Sequence, residues 1–195
     1  MSLTYKEFID YALDFKNHSD SIDDDWNICE HKNPMNGSTV IYLAKKKMQT
    51  FKKTSLNSNQ SEFQGEKNIY PVMCEYHILY NSSYSCPDMF FNMWYTDGKL
   101  LSLEDIWSMV HSIFKQNIEH DKWNFITQKE HLLNNKPFFR IHPCQNTHVL
   151  KTLGFSSENI YKYNPLITWL STINSFIGLE LPESYGCINS NFLPI

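Results

Sequence analysis

Few side chains in this sequence can do covalent chemistry, and one of them has an unusual setting. Cys144 stands in FFRIHPCQNTHVLKTLGF, residues 138–155. An extended aromatic run ends at Pro143, and a short helix is predicted beyond it, capped by Asn146 or Thr147 and stopped by Gly154. Proline fixes its own φ and pushes His142 toward extended backbone, so the chain entering Cys144 is stiff. A thiol close to a helix start feels the positive end of the dipole and unpaired N–H groups, which lower its pKa. Such a thiolate could attack a carbonyl while those N–H groups hold the developing oxyanion. The position equally suits an ordinary buried cysteine, and the spacing alone leaves both readings open.

His142 and His148 flank Cys144, which raises the chemistry of a cysteine hydrolase. In an extended stretch, however, His142 points to the side opposite Cys144. Cys29, Cys74, Cys86 and Cys187 show none of the paired short spacings that structural zinc uses, so no metal is expected. In CEYHILY, Tyr76 and His77 fall on opposite faces of one strand, and one of them is expected to be partly exposed near the site. Lys45, Lys46, Lys47, Lys52 and Lys53 form a basic run at the end of another strand. That run reads as a solvated edge that resists aggregation or as a docking edge for an acidic partner.

These residues need a scaffold, and the patterning supplies one. Thr4 with Glu7 makes a capping box before an amphipathic helix over about 4–17, with Phe8, Ala12 (or Tyr11) and Phe15 on its apolar face. Four strand-like runs follow: DWNICEHK, STVIYLAKKKMQTFKK, NIYPVMCEYHILY and DMFFNMWYTDGK. Their short connections suggest an antiparallel meander. The polar stretch at 54–68 between the second and third runs is expected to be a mobile loop. SLEDIWSMVHSIFKQ is a helix capped by Ser102, residues 119–137 are irregular, PFFRIHP is extended, and NPLITWLSTINSF is a last helix with Pro165 in its first turn. Helix, sheet, then helices is an α+β order with helices on one face.

Composition narrows the function. The 195 residues suit one domain, 1–195, rich enough in apolar side chains to bury a sizeable core. A net charge of −4 argues against a nucleic-acid binder. No run approaches the roughly 20 apolar residues of a membrane span. The start lacks a signal-peptide pattern, and an odd number of irregularly spaced cysteines fits free thiols in a reduced, cytoplasmic setting.

The motif His142-Pro143-Cys144, with its polar pair Gln145-Asn146 and the short helix after it, resembles the active-site segment of the autophagy conjugating enzymes. These are relatives of ubiquitin-conjugating enzymes. EYHILYNSSYSCPDMFF, DGKLLSLEDIW and WLSTINSFIGLELPESYG resemble the central hairpin, the strand-to-helix junction and the C-terminal end of the autophagy-related protein ten family. The matching segments run from about residue 70 to 186. The resemblance implies a ubiquitin-conjugating-like α+β fold, an antiparallel sheet with helices packed on one face, and a transferase without a cofactor. It implies that Cys144 accepts autophagy-related protein twelve as a thioester from an activating enzyme, autophagy-related protein seven. The modifier would then pass to a lysine of autophagy-related protein five during autophagosome formation. Tyr76, His77, His142 and Asn146 would support the chemistry, and Lys45, Lys46 and Lys47 would dock a partner. The lipid-directed branch of the same enzymes and a hydrolase of modifier conjugates are the alternatives. No His-Pro-Asn motif precedes the cysteine, as it does in ordinary ubiquitin-conjugating enzymes, so the oxyanion donor is unassigned.

Overall fold

A computed structural model describes residues 3–35, 37–52, 69–109, 126–143 and 164–187. Helix α1 spans Tyr5–Ser21, followed by strands β1 (Asn27–Lys32), β2 (Thr39–Lys52), β3 (Ile69–Asn81) and β4 (Cys86–Tyr95). Helix α2 (Leu103–Met109), strands β5 (Ile126–Glu130) and β6 (Pro137–Ile141) and helix α3 (Pro165–Ile173) complete the order, with short 3₁₀ turns at Asn174–Phe176 and Glu183–Cys187. The loop expected at 54–68 and the short helix expected after Cys144 lie outside the described residues, as does the continuation of α2.

The expected α1 cap is present: the Glu7 amide donates to Thr4 Oγ1, and the Thr4 amide donates to the Glu7 carboxylate. These bonds satisfy two amides that a helix start otherwise leaves open. They also hold the Glu7 carboxyl below its usual range. Phe8, Ala12 and Phe15, at helical spacing, are fully buried. Ser102 caps α2 through the Asp105 amide and carboxylate in the same reciprocal way. Asn164 caps α3 by accepting from the Leu166 amide, while its own amide donates to the Tyr11 carbonyl and to Asp14. One side chain thus starts α3 and fastens it to α1.

Among the described residues the sheet has six strands in the order β1-β2-β3-β4-β6-β5, each neighbour antiparallel. The first four form the expected meander. β5 is a strand where the sequence reading leaves an irregular stretch. Only Ile126 of ITQKE is buried, so an edge strand paired on one side carries no alternating pattern to betray it. The sheet's larger core gathers Leu43, Cys74, Tyr76, Phe91, Phe139 and Ile141 with the apolar faces of α1, α2 and α3. The described helices thus share one side of the sheet, an α+β architecture of the ubiquitin-conjugating kind. A smaller cluster on the other side contains Leu79, Phe90 and Phe138.

Among the described residues no helix is long and apolar enough to cross a membrane.

Candidate functional site

β6 is the rod that delivers the chain to residue 144. Its residues alternate: Phe139 and Ile141 enter the main core, while Phe138 and Arg140 face the other side. His142 is half-buried and Pro143 buried. Cys144, Asn146 and His148 lie outside the described residues.

That approach is pinned. Arg140 is buried against Asp88 of β4, its Nε lying 2.8 Å from Oδ1 and 3.0 Å from Oδ2 of the carboxylate. A second guanidinium nitrogen closes the fork on Oδ2, and the group sits over the Phe90 ring at 5.5 Å. The Asn81 amide nitrogen donates to Asp88 Oδ2 at 2.9 Å. Its carbonyl oxygen accepts from the amides of Ser83 (3.0 Å) and Tyr84 (3.2 Å), which shapes the β3–β4 turn. Ser85, at φ 50°, completes that turn in the left-handed region. Tyr84 at its tip then reaches across to His142, with ring centroids 6.1 Å apart and planes near perpendicular. A bidentate pair with both partners desolvated fixes distance and angle together. The strand end before residue 144 is therefore tied to the β3–β4 turn at two successive outward positions, Arg140 and His142.

None of Arg140, Asp88, Asn81 or Tyr84 stands out as functional from spacing. A signal was present, since CPDMFF and PFFRI each carry one charge inside an otherwise apolar strand, and such charges are almost never fully buried without a partner. Half-exposed Tyr84 contributes little core packing, so Tyr84→Ala should cost about 1 kcal/mol or less in stability. Loss of its contact to His142 should nonetheless loosen the strand end before residue 144, read as faster amide hydrogen exchange over residues 138–142.

The CEYHILY strand departs from expectation: neither Tyr76 nor His77 is partly exposed. Tyr76 is fully buried on the helix side of the sheet, and His77 is buried on the other side. Its hydroxyl lies 3.0 Å from the Ile177 carbonyl and 3.3 Å from Gln49 Oε1, and its single proton serves one of them at a time. Burial raises its pKa well above the ordinary value. Strand parity is the cause, because position 76 shares its face with Cys74 and Ile78, both in the core. The Cys74 thiol is likewise pushed up to about 11 by burial, which leaves it inert as a nucleophile.

His77 faces the other way. Its Nδ1 lies 3.0 Å from Nε2 of His131, and its Nε2 lies 3.3 Å from Glu75 Oε1. His131 Nδ1 accepts from the Leu133 amide at 3.3 Å. This last bond assigns the protons: His131 donates from Nε2 to His77 Nδ1, and His77 donates from Nε2 to Glu75. Both imidazoles are neutral in this arrangement. The bond from His77 holds the Glu75 carboxyl below its usual range. Burial, then the neighbouring His77, push the His131 pKa down to about 4 from 6.5. Between those values the unfolded chain binds a proton that the folded chain refuses, so stability should fall as pH drops from about 6.5 toward 4. His131→Leu should flatten that slope, as read by urea midpoints across the range.

The lysine run does not form one surface. Lys45 is buried and paired with Asp24, with Trp26 at 5.7 Å, and Asp24 also accepts from the Tyr185 hydroxyl at 2.8 Å. Consecutive strand residues alternate sides, so Lys45 had to point inward once Leu43 and Gln49 did. Lys47, on that same side, reaches Glu180 at 3.4 Å, whereas Lys46 lies over Trp94 at 5.5 Å on the other. β1 pairs with β2 only as far as Ala44, so Lys46 and Lys47 stand where, among the described residues, β2 has only β3 beside it.

Residues 7–184 match the family model of the autophagocytosis associated protein, active-site domain. The chain is 31% identical to a ubiquitin-like-conjugating enzyme ATG10 of Homo sapiens, across 93% of this chain and 91% of that protein. An enzyme of the same name from Arabidopsis thaliana is 34% identical over 55% of this chain and 50% of its own length. One from Dictyostelium discoideum is 23% identical over 57% and 53%. A match across nearly the whole sheet and its helices, including the pinned approach to residue 144, shows that the chain belongs to the ATG10 family of ubiquitin-like-conjugating enzymes, which are transferases.

Proposed function

We infer that the chain accepts autophagy-related protein twelve as a thioester on Cys144 and passes it to a lysine of autophagy-related protein five. The observation that carries this reading is the fixed strand end that runs up to Pro143, just before Cys144. Pro143 is buried, and Arg140 and His142 fix the strand end against the β3–β4 turn. A small-molecule enzyme needs a pocket, whereas a carrier of a protein-sized acyl group needs a thiol held at a defined exit.

In the first step the Cys144 thiolate attacks the thioester carbonyl at the modifier's C-terminus on the activating enzyme. A new C–S bond forms, and the activating enzyme's thiolate leaves. The exchange is nearly isoenergetic, so alignment and thiolate character decide its rate. In the second step the neutral amine of the acceptor lysine attacks the same carbonyl. The C–N bond forms, the Cys144 thiolate departs, and the amine loses a proton to solvent or a nearby base. His77, though in the hairpin segment, is hydrogen-bonded on both ring nitrogens, and Tyr76 is enclosed, so both act in this reading through the scaffold.

The test is incubation with the activating enzyme, the modifier and ATP, followed by non-reducing electrophoresis. An adduct that disappears with thiol reductant, and becomes a reductant-resistant conjugate when protein five is added, supports the reading. Transfer to a lipid instead would place the chain in the lipid-directed branch, and cleavage of a preformed conjugate would make it a hydrolase. Of Lys45, Lys46 and Lys47, the last two are accessible. Reversing both charges should slow loading several-fold at low salt, with a defect that shrinks as salt rises.

A further inference from the structure

Register pairing joins β3 to β4 from Val72↔Tyr95 to Asn81↔Cys86, whereas β4 pairs with β6 at Phe90↔Arg140 and Phe91↔Phe139. Burial of Phe138, Phe139 and Ile141 adds to these two pairs, and side-chain bonds set the angle of the hairpin at its two ends. At the end of β6 that leads to residue 144, the Arg140–Asp88 fork holds the hairpin. At the opposite end, the Asn92 amide donates to the Pro137 carbonyl at 3.0 Å, and the turn is tied inward through His131.

His131 opens that turn: its amide donates to the Lys136 carbonyl at 2.8 Å, and its carbonyl accepts from Asn135. From there the chain of imidazoles reaches over β4 to His77 and Glu75 on β3, packed between Phe90 and Phe138. Burying two imidazoles among aromatic rings costs more than burying two leucines. What the imidazoles add is direction, because each bond is satisfied at one ring orientation only. The chain ends on the Leu133 backbone amide, so it offers no exit for a proton and does not serve as a relay.

We propose that the Glu75–His77–His131 chain is a positioning element of the conjugation reaction: it locks the turn end of the β5–β6 hairpin to β3, so that the other end presents residue 144 at a fixed angle. This rests on the reading of Cys144 as nucleophile. The hairpin behaves as a short beam with two anchors, and releasing the turn end leaves its angle set at one end only.

The test separates geometry from folding. His131→Leu keeps the volume and removes the bonds, while His131→Gln keeps an N–H donor where Nε2 stood. Single-turnover discharge of the loaded enzyme to protein five should fall about tenfold in His131→Leu, with the acceptor concentration for half-maximal rate unchanged within about twofold. His131→Gln should recover discharge to within about threefold of wild type. Should His131→Leu fail to fold, Glu75→Leu against Glu75→Gln makes the same comparison at the half-buried end of the chain. Imidazole nitrogen spectra should show His131 protonated at Nε2 and His77 at Nε2. Wild-type discharge in a folded His131→Leu, or a glutamine variant as slow as the leucine one, would overturn the proposal. A wild-type chain that forms no reductant-sensitive adduct overturns the nucleophile reading beneath it instead.

Discussion

Cys144→Ala is expected to abolish modifier loading while leaving the fold intact, because in sequence no other cysteine directly follows a proline that ends a strand. The Cys74 thiol is buried and held near pKa 11, Cys86 is buried at the start of β4, and Cys29 lies half-buried on β1. A thiol at pKa 11 is about one part in ten thousand thiolate at neutral pH. Cys144→Ser should give the complementary result, an oxyester that survives thiol reductants and yields to hydroxide, since an alkoxide leaves far less readily than a thiolate. Single serine substitutions at Cys29, Cys74, Cys86 and Cys187 should still load. A reductant-sensitive adduct in Cys144→Ala would move the nucleophile elsewhere.

The second large effect is on stability. Asp88→Ala should cost about 3–5 kcal/mol, because it strands the Arg140 guanidinium in a site with almost no access to water. The same substitution removes the acceptor of the Asn81 amide, so the β3–β4 turn slackens as well. The double change Asp88→Leu with Arg140→Met should recover much of the lost stability, since no buried charge is then left alone. Urea denaturation of the wild type, Asp88→Ala and the double variant measures both effects. Loading should recover less than stability in the double variant, because leucine and methionine fill the volume without fixing the angle of the strand end.

Much of this molecule was legible in its sequence, for reasons that differ from element to element. α1 was readable because Thr4 and Glu7 signal a start and Phe8, Ala12 and Phe15 recur at helical spacing. The four-strand meander was readable from its apolar, β-branched runs. β5 was not, because a short edge strand with one buried side chain has no periodicity to detect. The lysine run misled because composition has no direction. Five lysines close together suggest a patch, yet a strand sends neighbours to opposite sides, and Asp24, about twenty residues away, claims Lys45. The site was half legible. The stiff approach through Pro143 could be inferred locally, but the fork from Arg140 to Asp88 joins positions 52 apart, and the His77–His131 bond joins positions 54 apart. Such partners meet only through sheet order, which places β6 beside β4 and not beside β3.

The turn that holds His142 has one more consequence. Asn81-Ser82-Ser83 spells the acceptor pattern for N-linked glycosylation. In the folded chain the nitrogen that would carry the sugar is buried and donates to Asp88, while the oxygen beside it organises the turn. A glycan on that nitrogen would crowd the buried Asp88 carboxylate that it now touches. Glycosylation at Asn81 is therefore at odds with the folded β3–β4 turn. A chain modified there before folding would lose part of the support of β6.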